Sequence, residues 1–346
     1  MAIAHSNALE KMSRAGEIWV GLRREDMIAD FPGNEPGLRV SDLSQTIRLL
    51  SETEITPEDL ARVRAHPRFP DAIRHICQSV IDHYNGNRVL NALVNDRGRM
   101  RMAFLALYLH YTRRLGDPNS GLTVNRLKAL CVEQKFCSGG RAEAMIALMR
   151  MFGYLREATN DQDRRLKLLI PTDKLIRTHV ERWLWHLEAV AMVLDEGRLG
   201  LEALKRPEFT PALLRQLVER HLAGLRILDA APGLEMFTDR NGGWMILFSL
   251  ITGGDARDTV PPSGPVSVSI SGLARRFGVS RVHVRKLLAD AVAEGFIARS
   301  GGHGEEVVMQ PRVREGILEV FSLLLVTFAQ AAVAAVEEVG EARAVA

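Results

Sequence analysis

Cysteine is scarce in this chain of 346 residues. There are three, Cys77, Cys131 and Cys137, too few for a disulfide scaffold and suited to a reducing compartment. Glycine (28) and proline (14) are not enriched, which excludes collagen-like and low-complexity classes. Aromatic residues make up only 6% while Leu, Ala and Arg abound, a balance that leans towards helix. No run of about 18 apolar residues is free of polar breaks. The nearest, Phe321 to Val336, is about a turn short of a membrane span and contains Ser322, Thr327 and Gln330. The first residues, MAIAHSNALEKMSRAGEIW, carry acids and lack the apolar centre of a signal peptide. A cytoplasmic protein is expected.

Signatures of nucleotide and hydrolytic sites are missing as well. The sequence has no GxGxxG opening a helix, no GxxxxGK[ST], no HExxH and no GxSxG. The Gly-Gly pairs at 139–140, 253–254 and 301–302 lack a following phosphate-binding pattern. The cysteines have neither CxxC spacing nor a histidine at ligand spacing, so zinc has no support. No catalytic residue, cofactor or metal is expected, and an enzyme is the class with the least support.

What the chain does have is uneven charge. The formal net charge is only +3, yet residues 97–174 hold 15 Lys/Arg against 7 Asp/Glu. Residues 1–96 carry 11 against 14, and residues 175–260 carry 10 against 12. The last block, 261–346, balances at 9 against 9, but 275–312 alone holds 7 against 4. Clustered positive charge is the electrostatic footprint of a nucleic-acid binder, although solvated helix faces produce it too.

The chain also echoes itself at a spacing near 143 residues. Leu90-Asn-Ala-Leu-Val-Asn-Asp-Arg-Gly98 resembles Leu234-Glu-Met-Phe-Thr-Asp-Arg-Asn-Gly242, and an apolar helical stretch follows each. Two short helices come next, in 122–155 and again in 268–297. Ser138 precedes Gly153-Tyr154-Leu155 by the same 15 residues that separate Ser280 from Gly295-Phe296-Ile297. Each copy continues with a turn-rich segment, a β-like run, a proline (Pro171, Pro311) and a long helix.

The second copy defines the unit. Ser271 to Phe277 reads as a short helix with Leu273, Ala274 and Phe277 inward, and Gly278 supplies the positive φ that ends it. Ser280 caps the next helix, in which Val284, Leu287, Leu288 and Ala291 recur at inward spacing. Arg281, His283, Arg285 and Lys286 lie mostly on the other side. That is a helix-turn-helix whose second helix suits the DNA major groove. Phe296-Ile-Ala-Arg299 and Glu306-Val-Val-Met309, joined by Ser300-Gly-Gly-His-Gly304, then form a wing. In the first copy Tyr154 to Glu157 goes out, Asn160 to Asp163 turns and Arg164 to Ile170 returns. Leu166, Leu168 and Ile170 are expected inward there, with Arg165 and Lys167 outward. The turn between its helices, with Val132-Glu-Gln-Lys-Phe136, is longer.

Residues 100–190 resemble the MarR family of bacterial winged-helix regulators. The pointers are Leu122-Thr123, Gly153-Tyr154-Leu155 and Asp161-Gln-Asp-Arg-Arg165…Leu169-Ile-Pro-Thr172. Residues 234–330 resemble a second winged helix, and the run LARRFGVSRVHVRKLL is also similar to GntR-type regulators. The second wing lacks the Asp/Arg signature, and the tandem arrangement departs from a subunit with one module that pairs as a homodimer. The resemblance implies that Ser138, Arg141 and Ala142 open the first recognition helix, with Arg164 and Arg165 as wing contacts. Ser280, Arg281, His283, Arg285 and Lys286 would serve the second. Arg141 and Arg281 are the first candidates for reading guanine. The same likeness makes Trp183, Trp185 and Trp244 candidates for lining an effector cavity, against the plainer reading of core packing. His179 and His186 share a face seven residues apart and read as structural. Cys131 and Cys137 flank the first turn, where oxidation would deform a DNA-reading element. Buried thiols are the plainer alternative.

Thr56-Pro-Glu-Asp59 and Thr210-Pro-Ala-Leu213 read as helix starts. The last helix presents Ile317, Val320, Phe321, Leu324 and Phe328, widened by Leu323, Leu325 and Val326. Such a breadth fits burial against the first half or a subunit interface. The expected architecture is mainly α. It comprises an N-terminal helical segment (1–96), a first winged-helix module (97–175), connecting helices (176–233), a second module (234–312) and a C-terminal helix (313–346). The expected function is sequence-specific binding of double-stranded DNA as a transcriptional regulator, with a small-molecule effector as a candidate and no membrane partner. The chain would act as a monomeric pseudo-dimer or as a homodimer. Plasmid replication initiators and chromosome-segregation accessory proteins, which use such modules on origin repeats or on other proteins, are the alternatives.

Overall fold

A computed structural model describes residues 55–345 apart from 88, 92–96, 115, 118–119, 159–167, 232 and 303–304. Most of the N-terminal segment expected over 1–96, namely 1–54, therefore lies outside the described residues. The fold is mainly helical, at 66%, as the composition implied.

The first described helix, α1 (Pro57–Ala65), starts on a capping box. Thr56 Oγ1 accepts from the Asp59 amide, and the Asp59 carboxylate accepts from the Thr56 amide. Next come α2 (Phe69–Tyr84), α3 (Arg97–Tyr111), α4 (Val124–Glu133) and α5 (Gly139–Met151), then the strands β1 (Leu155–Glu157) and β2 (Leu169–Pro171). The helices α6 (Asp173–Val190), α7 (Glu196–Ala203) and α8 (Phe209–Leu222) lead into a 3₁₀ turn, Ile227–Ala230. The second half holds α9 (Glu235–Thr238), α10 (Gly243–Thr252), β3 (Pro265–Ser267), α11 (Ile270–Phe277) and α12 (Arg281–Ala293). It ends with β4 (Ile297–Ser300), β5 (Glu306–Met309) and α13 (Pro311–Val345).

Two sequence expectations shift along the chain, the start of α8 by two residues and the hairpin pattern by one. Thr210 does not cap α8. Glu208 already has helical φ and ψ (−71° and −24°), so the helix begins at Phe209 and Thr210 lies buried inside its first turn. In the first hairpin the inward set is Leu168, Leu169 and Pro171, while Ile170, expected inward, is half-buried. Register explains this. Leu155 pairs with Pro171 and Glu157 with Leu169, and Leu168 bridges Thr123. Leu166, Arg165 and Lys167 lie outside the described residues.

The buried apolar residues of both halves form one continuous core. Helix α2 packs on α6 and α10, so one helix touches the first half and the second. Helix α13 runs along α1, α6, α7 and α8. Its residues Ile317, Val320, Phe321, Leu325, Val326 and Phe328 are buried and Leu324 is half-buried. The broad apolar surface expected there thus packs within the chain. Arg64 of α1 clamps it from outside, with Nη1 2.6 Å from Glu315 and a second pairing to Glu319. By length and composition α13 is long and apolar enough to cross a membrane, and 61% of its most apolar window is buried inside the fold.

Candidate nucleic-acid interface

Helices α5 and α12 are built alike. Each has 13 residues. Ser138 Oγ accepts the Arg141 amide at 3.3 Å, and Ser280 Oγ accepts the His283 amide at 3.0 Å. Each hydroxyl satisfies an amide that has no partner inside its helix. Ala142, Met145, Ile146 and Met149 are buried in α5, and Val284, Leu287, Leu288 and Ala291 in α12. These sets coincide residue for residue when the chain is shifted by 142 positions. Both helices end on a left-handed glycine, Gly153 (φ 71°) and Gly295 (φ 69°). The next amides return alike, Tyr154 to the Met149 carbonyl at 2.8 Å and Phe296 to that of Ala291 at 2.9 Å. A hairpin follows each helix. The segment before each helix pair joins its hairpin, through the Thr123–Leu168 bridge in one case and the β3–β5 ladder in the other.

The preceding turns differ in length, 134–138 against 278–280, as the sequence implied, and in the residue that takes the left-handed conformation. After α11, Gly278 takes the left-handed conformation (φ 66°), and the Val279 amide reaches the Ala274 carbonyl at 3.1 Å. After α4, Lys135 does the same at φ 56°, and the Phe136 amide reaches the Cys131 carbonyl at 2.9 Å. Lysine thus holds a backbone conformation that favours glycine. Phe136 is held beyond the turn by the Arg101 guanidinium and the His221 ring.

The outer faces are not alike. On α12, Arg281, Val282, Arg285, Lys286 and Ala289 are exposed. Among the described residues the Arg281 and Arg285 guanidiniums make no ion pair or hydrogen bond. Lys286 shares the Asp290 carboxylate with Arg240. His283 is turned inward: its Nε2 lies 2.8 Å from the Asn241 carbonyl, so the ring ties α12 to the loop before α10. It is therefore better placed to position the helix than to meet a ligand. On α5 the exposed groups are Gly140, Arg141, Glu143, Ala144, Ala147, Arg150 and Met151. Glu143 pairs with Lys128 and Arg150 with Glu157. Ala142 is fully buried and faces the core rather than a ligand. Arg164 and Arg165 lie outside the described residues. The described hairpins carry two exposed cations that the sequence reading passed over, Arg156 on β1 and Arg299 on β4. Strand alternation was the available signal for Arg156, since Leu155 points inward; it gave none for Arg299, which lies two residues from the buried Ile297.

The three tryptophans have separate neighbours. Trp183 is buried against Phe104 and His179, Trp185 lies edge-on to His83, and Trp244 meets Phe248. Residues 183 and 185 are about 200° apart around their helix. A cavity bordered by Arg99, Met149, Tyr154 and His179 offers about 10 Å³, room for one water at most. Cys131 is fully buried, and burial pushes its thiol pKa up to about 12, with Cys137 beside it adding to the shift. Among the described residues no group of His, Cys, Asp and Glu is arranged to hold a metal.

Comparison with known protein families, with curated proteins and with solved structures finds no match to this chain.

Proposed function

We propose that the chain is a DNA-binding transcriptional regulator built from two winged-helix lobes, 97–175 and 234–312, that arose as a duplicate of one another. The observation that carries this reading is the outer face of α12, a Ser-capped helix on which Arg281, Arg285 and Lys286 are exposed and the two arginines make no ion pair or hydrogen bond among the described residues. Guanidiniums so placed can form bidentate bonds to guanine or contact phosphates. The matched burial pattern of α5 and α12 supports the duplication.

The two lobes have different duties in this reading. The shift of 142 residues sets Arg285 opposite Glu143 and Lys286 opposite Ala144. Helix α12 therefore reads bases, while α5, with Arg141 as its outward cation near the cap, contributes mainly backbone contacts. The operator is accordingly asymmetric rather than a perfect palindrome. One continuous core spans both lobes, so their spacing on DNA is set by packing. A protein of this kind works in the cytoplasm, where the DNA is.

Binding to duplex DNA measured between about 50 and 200 mM salt tests the reading, because phosphate contacts release counterions. A steep loss of affinity with salt, together with preference for one sequence, is expected. Salt-independent or absent DNA binding contradicts it and favours the protein-interaction alternative.

A further inference from the structure

Val282 is 69% exposed, the most exposed large apolar side chain among the described residues. A lone exposed valine is ordinary on a protein surface, but this one occupies a particular place. It lies in the first turn of α12, directly after Arg281, on the face that also carries Arg285 and Ala289. Residues three apart on a helix are neighbours, so Val282 and Arg285 share one edge of the exposed face. Valine is a mediocre helix former, and here its side chain is largely in water, so the fold draws little from it. In the first lobe the matching position is Gly140, with open space where a side chain would begin. The apolar group is therefore a feature of the second lobe alone.

An apolar group among cations on a helix that enters a major groove has one natural counterpart on the base edges, the C5 methyl of thymine. We infer that Val282 reads a thymine methyl in the recognised duplex, next to the base contacted by Arg285. The inference rests on the DNA-binding reading above. It goes further by naming a base and the atom that is read.

The test uses the full chain and a duplex obtained by selection from random sequence. Each thymine of that duplex is replaced singly by deoxyuridine, which removes only the methyl. One position is expected to weaken wild-type binding about fourfold, the scale of one buried methyl group lost from a contact. Val282→Ala is expected to bind the thymine duplex about fourfold more weakly and to be indifferent to uracil at that same position. Val282 is exposed and alanine favours helix, so this variant folds, and circular dichroism with thermal melting verifies it. A selected duplex with no uracil-sensitive position overturns the inference while leaving DNA binding intact. So does a Val282→Ala protein that keeps the wild-type thymine-to-uracil ratio. Failure to select any duplex removes the DNA-binding reading itself and this inference with it.

Discussion

Arg240 Nη1 lies 2.6 Å from Asp290 Oδ2, and Lys286 Nζ lies 3.4 Å from the same oxygen. The turn after α9 is thereby fastened to the last turn of α12. The Arg240 guanidinium, aided by Lys286, holds the Asp290 carboxyl below its ordinary value. Asp290 is thus ionised at neutral pH, and it neutralises part of the cationic face that the proposal assigns to DNA.

Asp290→Asn removes that negative charge while keeping an acceptor for Arg240. The expected result is about two- to threefold tighter DNA binding with a steeper salt dependence, since Lys286 is released to meet phosphate. Fluorescence anisotropy across a salt series checks this. Unchanged or weaker binding would mean that the middle of α12 does not approach the duplex.

The turn of the first helix pair carries its own prediction. Lys135 sits at φ 56° where the second turn uses Gly278. A left-handed non-glycine residue costs about 1–2 kcal/mol, partly offset by the added freedom of glycine in the unfolded chain. Lys135→Gly is therefore expected to stabilise the protein by about 0.5–1 kcal/mol. Gly278→Ala, which meets no atom within 4 Å but inherits the strained φ, is expected to destabilise it by about 1 kcal/mol. Urea midpoints measured side by side decide. A destabilised Lys135→Gly would show that the lysine stem contributes more than its backbone costs.

Buried histidines give the stability a direction in pH. Burial lowers the His179 pKa to about 4 and the His186 pKa to about 3. The Nδ1–H of each ring donates to a backbone carbonyl, of Leu175 and Arg182 respectively. His83 is also lowered to about 4, by burial and then by Arg182. These folded values lie below the ordinary value of 6.5. The unfolded chain therefore takes up protons first, and stability is whole above about pH 6.5 and falls as pH drops towards 4. Chemical denaturation at pH 7.5 and 5.0 should show a lower midpoint at pH 5.0. Equal midpoints would mean that these rings are hydrated in solution.

The sequence was informative where one local rule decided the outcome. Ser138 and Ser280 as caps, Gly278 as a helix stop and the inward quartet of α12 follow from spacing and from what each side chain does to nearby amides. The misplaced details came from competition. Thr210 looked like a cap because Pro211 follows it, but Glu208 had already entered helical geometry. Ile170 looked inward by strict alternation, but the Leu168–Thr123 bridge moved the pattern by one residue. His283 looked like a surface contact on a helical wheel. Its ring instead reaches a carbonyl 42 positions earlier, and no local pattern encodes such a contact. The unequal charge of α5 and α12 was present in the sequence, in Glu143 and Ala144 against Arg285 and Lys286. It gained meaning only once shared burial had fixed which positions correspond.

The central claim is that the exposed arginines of α12 read a duplex. It is tested most directly by selecting binding sites from random or genomic DNA with the wild-type protein and with Arg281→Ala plus Arg285→Ala. Neither side chain has a partner among the described residues, so the variant should melt within about 0.5 kcal/mol of wild type. The account predicts one enriched asymmetric motif for the wild type, and about 10- to 100-fold weaker binding with loss of guanine preference for the variant. An unchanged motif at unchanged affinity in the variant would contradict it.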